Sequence, residues 1–354
     1  LKQIPKIKTL LVGLGRIAHG LEKDPYRIKP CTHAGVLYSN WGKRYFTLDG
    51  ICDSDTSKVE TFFSEWKPKP IPENIKLPKS ISKISNLRFP FDFAIIATPS
   101  DSHFEIACQL LNSGIPNLLI EKPVCLSAKD AIFLNQLAKS KGAKVWVNHE
   151  RRYHPRYIYI RNKLKSNAWG NVKLVRANVL TSAKNPGLAF SKMGGGPLLH
   201  DGTHAIDLLF WMFGKLNLRY ANVERPGKKY FEDRASVWLG ARDGLEVFLD
   251  VSGGRDYFQF EIDIFTEKNR IILSNDGFQL FESKPSTLYK GFKSLKQGSF
   301  EKIPKIEKSN AFLGIYQEIH QNISKKINSQ EGSLEDNIDI LQCIESIYKF
   351  RRKK

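Results

Sequence analysis

Cysteine chemistry has little to work with in this chain. Its five cysteines (Cys31, Cys52, Cys108, Cys125 and Cys343) are odd in number, scattered, and never paired as CxxC. This argues against a disulfide framework or a zinc site and for reduced thiols in a cytoplasmic setting. Long apolar runs are missing too, none approaching the roughly 20 residues that span a membrane. The opening Leu1-Lys-Gln-Ile-Pro5 has neither a signal-peptide shape nor an initiator methionine, so the start reads as trimmed. Acidic residues are the third shortage: 36 Asp and Glu face 55 Lys and Arg, a formal net charge of +19. The lysines are spread along the chain, with one dense cluster at Lys349-Phe-Arg-Arg-Lys-Lys354, and no zinc-finger, RNP or bZIP pattern accompanies them. The surplus reads first as a solvated lysine-rich surface and next as a basic pocket for an anionic metabolite. Nucleic acid is not expected as a partner.

What is present is ordinary globular material, 41% hydrophobic and 26% charged, in 354 residues, enough for two domains. Gly194-Gly-Gly-Pro-Leu-Leu-His-Asp-Gly-Thr-His-Ala-Ile-Asp207 stands out. Read as one helix from Pro197 to Phe213, it puts His200, His204 and Asp207 on one face at spacings of four and three. Imidazoles one turn apart beside a glycine loop suit proton transfer. A buried helix whose histidines satisfy backbone groups is the plainer alternative.

Near the start, the strand-like Ile7–Val12 runs into Gly13-Leu-Gly-Arg-Ile-Ala18, a GxGxxA turn that predicts a following helix and a pyrophosphate on its N-terminus. Gly13 would make the tight turn, Gly15 would admit the ligand, and Arg16 and Ile17 lie at the helix start. The acidic partner comes late. Strand two, Tyr45–Cys52, ends at Asp53, about twice the usual ~20 residues from the glycines, because a proline-bearing loop, Lys23 to His33, and the helix-like Ala34–Ser39 intervene. Asp53 suits the ribose hydroxyls and would repel a 2′-phosphate, favouring NAD over NADP; capping the helix Thr56–Trp66 is its other reading. Further strand–helix alternation follows: strand Phe93–Ala97, Thr98-Pro99, a helix Phe104–Asn112 preceded by His103, strand Asn117–Ile120 with Glu121-Lys122-Pro123, a Ser127-capped helix, and strand Lys144–Val147. This is a doubly wound parallel sheet, whose ligands bind beyond the strands' carboxyl ends.

GLGRIA at Gly13, Ala97-Thr98-Pro99 with His103, Glu121-Lys122-Pro123 and the glycine-led histidine helix stand in order along nearly the whole chain. Together they resemble the Gfo/Idh/MocA oxidoreductases. The resemblance implies a Rossmann domain (1–148) and a second α/β domain with an open, mostly antiparallel sheet (149–354), which often forms a subunit interface and makes a homo-oligomer plausible. It also implies a nicotinamide-dependent reaction at a secondary hydroxyl or carbonyl of a sugar, nucleotide sugar or cyclitol. Lys122 matches the family lysine that meets the substrate hydroxyl, where an ammonium can stabilise a developing alkoxide. His204 keeps the family's acid/base place. His200 stands where the family usually has Asp, with Asp201 beside it; within a regular helix Asp201 would lie about 100° away and could not substitute without a distortion. Family relatives also include non-catalytic dinucleotide-binding regulators and redox-assisted glycosidases.

The joining segment Val147–Pro155 carries Asn148, His149, Arg151, Arg152 and Tyr153. Arg151 or Arg152 could clamp a carboxylate or phosphate, or form an interdomain salt bridge. Lys192, in the loop Lys184–Lys192, is a candidate substrate contact. Beyond Gly214 the pattern is β, from Leu218 to Phe281, with turns at Arg242-Asp-Gly244 and Asn275-Asp-Gly277. Tyr289–Lys308 reads as an excursion, and Ala311–Ile327 and Leu334–Phe350 as closing helices.

Overall fold

The computed structural model describes residues 5–66, 79–80, 90–182, 195–225, 232–325 and 330–350. Contacts divide the chain into a first unit, Leu1–His154 with Asn310–Ile338, and a second, Pro155–Ser309 with Asp339–Lys354. The expected division at 148/149 therefore differs from the compact units in one large respect: the segment from Asn310 to Ile338 belongs with the first unit.

In the first unit, β1 (Ile7–Val12), β2 (Phe46–Cys52), β3 (Lys79–Ser80), β4 (Phe93–Ile96), β5 (Asn117–Ile120) and β6 (Lys144–Val147) form one parallel sheet in the order β3-β2-β1-β4-β5-β6. This is the doubly wound order, with its crevice where the strand sequence reverses at β1 and β4. Strands β4 to β6 are near-continuous apolar runs because both faces are covered. The helices of this unit are α1 (His33–Tyr38), α2 (Gly42–Tyr45), α3 (Thr56–Trp66), α4 (His103–Asn112) and α5 (Ala128–Ser140). Ser127 caps α5 through its side chain, as its sequence signals.

The helix expected straight after the glycine turn is not there. The chain makes a turn closed by the His19 N–H donating to Gly15 O (3.2 Å) and one 3₁₀ turn, Gly20–Lys23. The helical path then resumes at α1, where the His33 and Ala34 N–H groups donate to Ile17 O (3.3 Å) and Ala18 O (2.8 Å). An α-helical N–H reaches four residues back; Ala34 reaches sixteen, so twelve residues (16 − 4) are looped out of a helix. That excursion also explains the late acid. Asp53 lies 38 residues after Gly15, and 38 − 12 leaves 26, close to the ordinary spacing. Glu22 anchors the loop by accepting from the Cys31 N–H (3.0 Å) and the Thr32 hydroxyl (2.8 Å), and Thr32 caps α1 by accepting from the Gly35 N–H.

The second unit contains α6 (Pro155–Lys165), then an eight-stranded sheet of β7 (Val172–Ser182), β8 (Asn217–Glu224), β9 (Arg234–Gly240), β10 (Glu246–Arg255), β11 (Gln259–Thr266), β12 (Asn269–Ser274), β13 (Gly277–Pro285) and β14 (Lys293–Gln297). Its order is β14-β13-β12-β11-β7-β10-β9-β8, antiparallel except for the β10–β7 pair. Strand β14 lies inside the stretch read as an excursion; its sequence Lys-Ser-Leu-Lys-Gln, with a single apolar residue, hides an edge strand. Period-two alternation gives the sheet one buried face, with Val175, Val237, Leu249, Ile262 and Leu273 fully or almost fully covered. Helices α7 (Pro197–His200) and α8 (Gly202–Phe213) pack on β9, β10 and β7. The remaining helices are α9 (Ala311–Lys325), whose Ile315, Tyr316 and Ile319 join the first unit's core, and α10 (Leu334–Lys349), within which the unit boundary falls. Among the described residues no helix is long and apolar enough to cross a membrane, and no cluster of His, Cys, Asp or Glu is arranged to hold a metal ion.

Candidate functional site

The two glycines of the turn are glycine for different reasons. Gly13 has φ +88°, and a Cβ there would lie 2.6 Å from the Ala97 carbonyl and 2.7 Å from the Thr98 nitrogen. Both the turn and its closeness to the end of β4 demand glycine. Among the described residues a Cβ on Gly15 would meet no atom within 4 Å, and its backbone is not left-handed. Nothing among the described residues asks for glycine at 15, whereas a backbone that must approach a pyrophosphate does, so the turn fits a dinucleotide. Arg16 is exposed, and Ile17 packs on the core.

Asp53 arrives at this turn from the end of β2. Its Oδ2 accepts from the Leu14 N–H (2.8 Å) and its Oδ1 from the Asp55 N–H (2.9 Å), while Lys58 Nζ lies 3.8 Å away. Each oxygen retains a lone pair for a further donor. The capping alternative falls to Asp55, which accepts from the Ser57 N–H and hydroxyl at the start of α3. Sequence reasoning overlooked His19. Its Nε2 is 3.1 Å from Leu14 O, beneath the same turn, and its Nδ1 is 3.0 Å from Glu65.

At the ends of β4 and β5, His103 is almost wholly buried, with Nδ1 2.8 Å from Pro123 O and Nε2 2.8 Å from Thr98 O. It braces the Thr98-Pro99 loop against the Glu121-Lys122-Pro123 loop, and burial pushes its pKa down. The Lys122–Pro123 bond is cis. Glu121 is buried, its Oε1 2.5 Å from Asn148 Nδ2 and 2.9 Å from His33 Nε2. Nearby, burial raises the carboxyl pKa of Glu150; Glu121 adds to the rise, while Arg151 and Lys122 oppose it. The guanidinium of Arg152 is buried and donates to Asp336 Oδ2 at 2.6 Å. The salt bridge that Arg152 makes is not the interdomain one given as the alternative for this segment, because both partners lie inside the first unit.

In the second unit the histidine segment is two helices, not the single one expected from Pro197 to Phe213. Asp201 ends α7 and begins α8 with φ −103°, and the His204 N–H donates to Asp201 O, three residues back, at 3.2 Å. Thr181 donates to Asp201 Oδ2 (3.1 Å), and Gly202 fits so tightly that a Cβ would lie 3.2 Å from both Leu198 and Val251 side chains. The regular four-and-three spacing that put His200, His204 and Asp207 on one face thus loses its premise at Asp201. His200 Nε2 is 3.9 Å from Asp201 Oδ1, both about one-fifth exposed, whereas Asp207 is fully buried. The start of α7 is set by Glu232, a fully buried carboxylate accepting from the Leu198 N–H (2.7 Å) and the Tyr348 hydroxyl (2.9 Å). It sits where a Cβ on Gly196 would go. No local signal marks Glu232 in the sequence. Lys192, with its loop, and Gly194 lie outside the described residues.

Residues 7–149 match the GFO/IDH/MocA family, described as oxidoreductases with an NAD-binding Rossmann fold, and residues 157–272 match the GFO/IDH/MocA C-terminal domain. The rhizopine catabolism protein MocA of Rhizobium meliloti is 28% identical over 165 residues, covering 46% of this chain and 49% of that protein. The chain spans about half the length of the curated relatives it matches. Among solved structures, the WlbA dehydrogenase from Bordetella pertussis in complex with NADH and UDP-GlcNAcA superposes with a TM-score of 0.75 at 19% identity, covering 97% of this chain and 95% of that one. KijD10, a 3-ketoreductase from Actinomadura kijaniata in complex with NADP and TDP-benzene, does so with 0.75 at 15% identity, covering 98% of each. At such identities the likeness is one of fold.

Proposed function

The chain belongs to the GFO/IDH/MocA oxidoreductase family, and from that membership we propose that it is an NAD-preferring dehydrogenase of a secondary hydroxyl or carbonyl on a sugar, nucleotide sugar or cyclitol. The observation that carries this reading is the carboxyl edge of one parallel sheet, which brings together the Gly13–Gly15 turn, Asp53 and Glu121-Lys122-Pro123. A bound nicotinamide dinucleotide supplies the hydride acceptor or donor. The chain supplies the rest. Gly15 leaves its backbone open to the pyrophosphate, and the Asp53 carboxylate accepts from ribose hydroxyls and disfavours a 2′-phosphate. Lys122 donates to the reacting oxygen and stabilises it as negative charge develops. His204 accepts or returns the hydroxyl proton. Asp201, with His200 beside it, takes the substrate-orienting place of the family acid, and Lys192 remains a candidate substrate contact.

Within this class the surplus of positive charge and the UDP-sugar bound to the WlbA relative favour an anionic nucleotide sugar. A cross-strand row of half-exposed aromatics on the sheet's outer face, Tyr220, Trp238 and Phe248, supports a homo-oligomer. The test is NADH formation from NAD with separate pools of nucleotide sugars, free sugars and cyclitols. One pool should give NADH, and Lys122→Ala should abolish it while NAD still binds. Full turnover in that variant would sink the mechanism. Silence from all pools, with NAD binding demonstrated, would move the protein to the non-catalytic dinucleotide-binding class.

A further inference from the structure

Strands β13 and β14 carry a feature that the dehydrogenase reading does not use. The ladder between β12 and β13 ends where Asn269 pairs with Glu282, and a last bond runs from the Ser283 N–H to Lys268 O (2.9 Å). Beyond it β13 and β14 stay paired with each other alone, Lys284 with Ser294 and Pro285 with Lys293. A two-stranded finger therefore projects past the sheet. Its large apolar side chains stand in solvent: Leu288 is 82% exposed, Tyr289 66%, Phe292 72% and Leu295 48%. The tip is ordered by its own bonds. The Ser286 N–H donates to Phe292 O (2.9 Å), and the Ser286 hydroxyl accepts from the N–H groups of Leu288 (3.1 Å) and Tyr289 (3.2 Å). Gly291 turns the chain with φ +84°, and the rings of Tyr289 and Phe292 meet edge to face at 6.5 Å.

The charge around this tip has one sign. From Ser283 to Phe300 the chain holds Lys284, Lys290, Lys293 and Lys296 and no acid. Lys284 pairs with Glu282 (2.8 Å); among the described residues the other three have no ion-pair partner. Single apolar side chains on a surface are ordinary, but a cluster this exposed and ringed by cations calls for an occupant both apolar and anionic. A second copy of the chain answers only the first demand, since finger against finger sets lysine against lysine. Single-stranded nucleic acid answers the second, but its bases stack on open ring faces, and here the rings turn edge to face on each other. A bilayer with anionic lipid answers both: Leu and Phe enter the acyl boundary, Tyr lies at headgroup level, and each lysine adds attraction. The finger stands at the end of the sheet where β11 stops and β7 begins, Thr266 pairing with Val172, whereas the chain leaves β7 for the histidine segment at Ser182. It also occupies the opposite edge from Tyr220, Trp238 and Phe248.

We propose that this finger docks the protein on the surface of a bilayer containing anionic lipid, inserting Leu288, Tyr289 and Phe292 and setting Lys290, Lys293 and Lys296 against the headgroups. Co-sedimentation of the full chain with phosphatidylcholine vesicles, with and without about one-quarter phosphatidylglycerol, measures it. The parent should pellet with the anionic vesicles and stay in solution with phosphatidylcholine alone. Lys290→Ala combined with Lys293→Ala should weaken binding about 25-fold, at about fivefold for each lysine near the surface. Removing the same charge from exposed positions of the first unit, by Lys129→Ala with Lys141→Ala, should weaken it less than about twofold. Leu288→Ser with Phe292→Ser keeps every charge and should weaken it at least about tenfold. All six side chains are exposed, and thermal unfolding checks that each variant is folded. No pelleting with the anionic vesicles would overturn the proposal. So would equal losses in the two lysine pairs, which mean diffuse adsorption of a basic chain, or full binding by the serine pair. Two further outcomes also sink it by naming another occupant. One is an oligomer of the parent that the serine pair dissociates in the absence of vesicles; the other is a single-stranded oligonucleotide bound by a parent that vesicles do not retain.

Discussion

The carboxyl edge of the first unit and the histidine segment of the second are held by opposite means. At the edge, three of the candidate groups are tied to other stretches of chain: Asp53 to the Leu14 N–H, His103 to the carbonyls of Thr98 and Pro123, Glu121 to His33 and Asn148. The regular strands stop and the side chains take over the lacing. The histidine segment instead runs along one continuous stretch that breaks at Asp201, with Glu232 fixing its start and Thr181 holding the break. The first arrangement resembles a preorganised platform. The second concentrates its support in a few buried polar bonds, so single substitutions should reach further there.

Turnover is the sharpest way to break this comparison. Lys122→Ala should cost about 10³-fold or more in kcat and His204→Ala about 10²-fold, each with NAD affinity retained. Steady-state kinetics on the substrate pool that yields NADH checks both. Unimpaired His204→Ala would remove the second unit's histidine from the chemistry and leave the platform to act without it. The glycine turn separates fold from ligand on a smaller scale. Gly13→Ala forces a side chain into a left-handed backbone and against Ala97 and Thr98, so it should destabilise by at least about 2 kcal/mol. Gly15→Ala meets no atom among the described residues; it should leave unfolding within about 0.5 kcal/mol of the parent and weaken NAD binding by about tenfold. Thermal unfolding and NAD titration of the pair measure these two effects separately.

Most of the strands were legible, because buried ones such as Phe93–Ile96 and alternating ones such as Glu246–Arg255 advertise themselves by period and run length. The glycine turn, Asp53 and the Glu121-Lys122-Pro123 loop were legible for the same reason, each following a strand directly. The interrupted helix was not. Its twelve extra residues carry proline and charge and read as an ordinary loop, and only the bonds from His33 to Ile17 and from Ala34 to Ala18 reveal that a helix continues across them. The break at Asp201 escaped notice because an unbroken helical pattern surrounds it, while the residues that meet it, Thr181 and Val251, lie on distant strands. His33, Glu232 and Tyr316 escaped for a related reason. A buried polar residue declares its role through its partner, and these partners lie 88, 34 and 283 positions away.

Two smaller effects sharpen the contrast. Asp53→Ser keeps a short oxygen near the Leu14 N–H but removes the charge, so kcat/KM for NADP relative to NAD should rise about tenfold. An unchanged ratio would show that the charge at the end of β2 does not select the cofactor.

The last effect concerns Glu232, where burial raises the carboxyl above its ordinary 4.5 despite the bonds from Leu198 and Tyr348. A group whose pKa is higher folded than unfolded contributes stability that is fully present below the unfolded value. That contribution is lost as pH rises through the folded value, because over that window the folded chain binds the extra proton. Glu232→Gln keeps the shape and a carbonyl acceptor but never ionises. Relative to the parent, it should therefore be least favourable near pH 4.5 and gain by up to about 1 kcal/mol toward pH 8. Unfolding midpoints for both proteins across that range check the sign, and a difference that does not vary with pH would mean the carboxylate carries no such linkage. If the difference does vary, the histidine segment rests on a group whose charge depends on pH, and the His204 position should share that dependence while the Asp53–Leu14 contact does not.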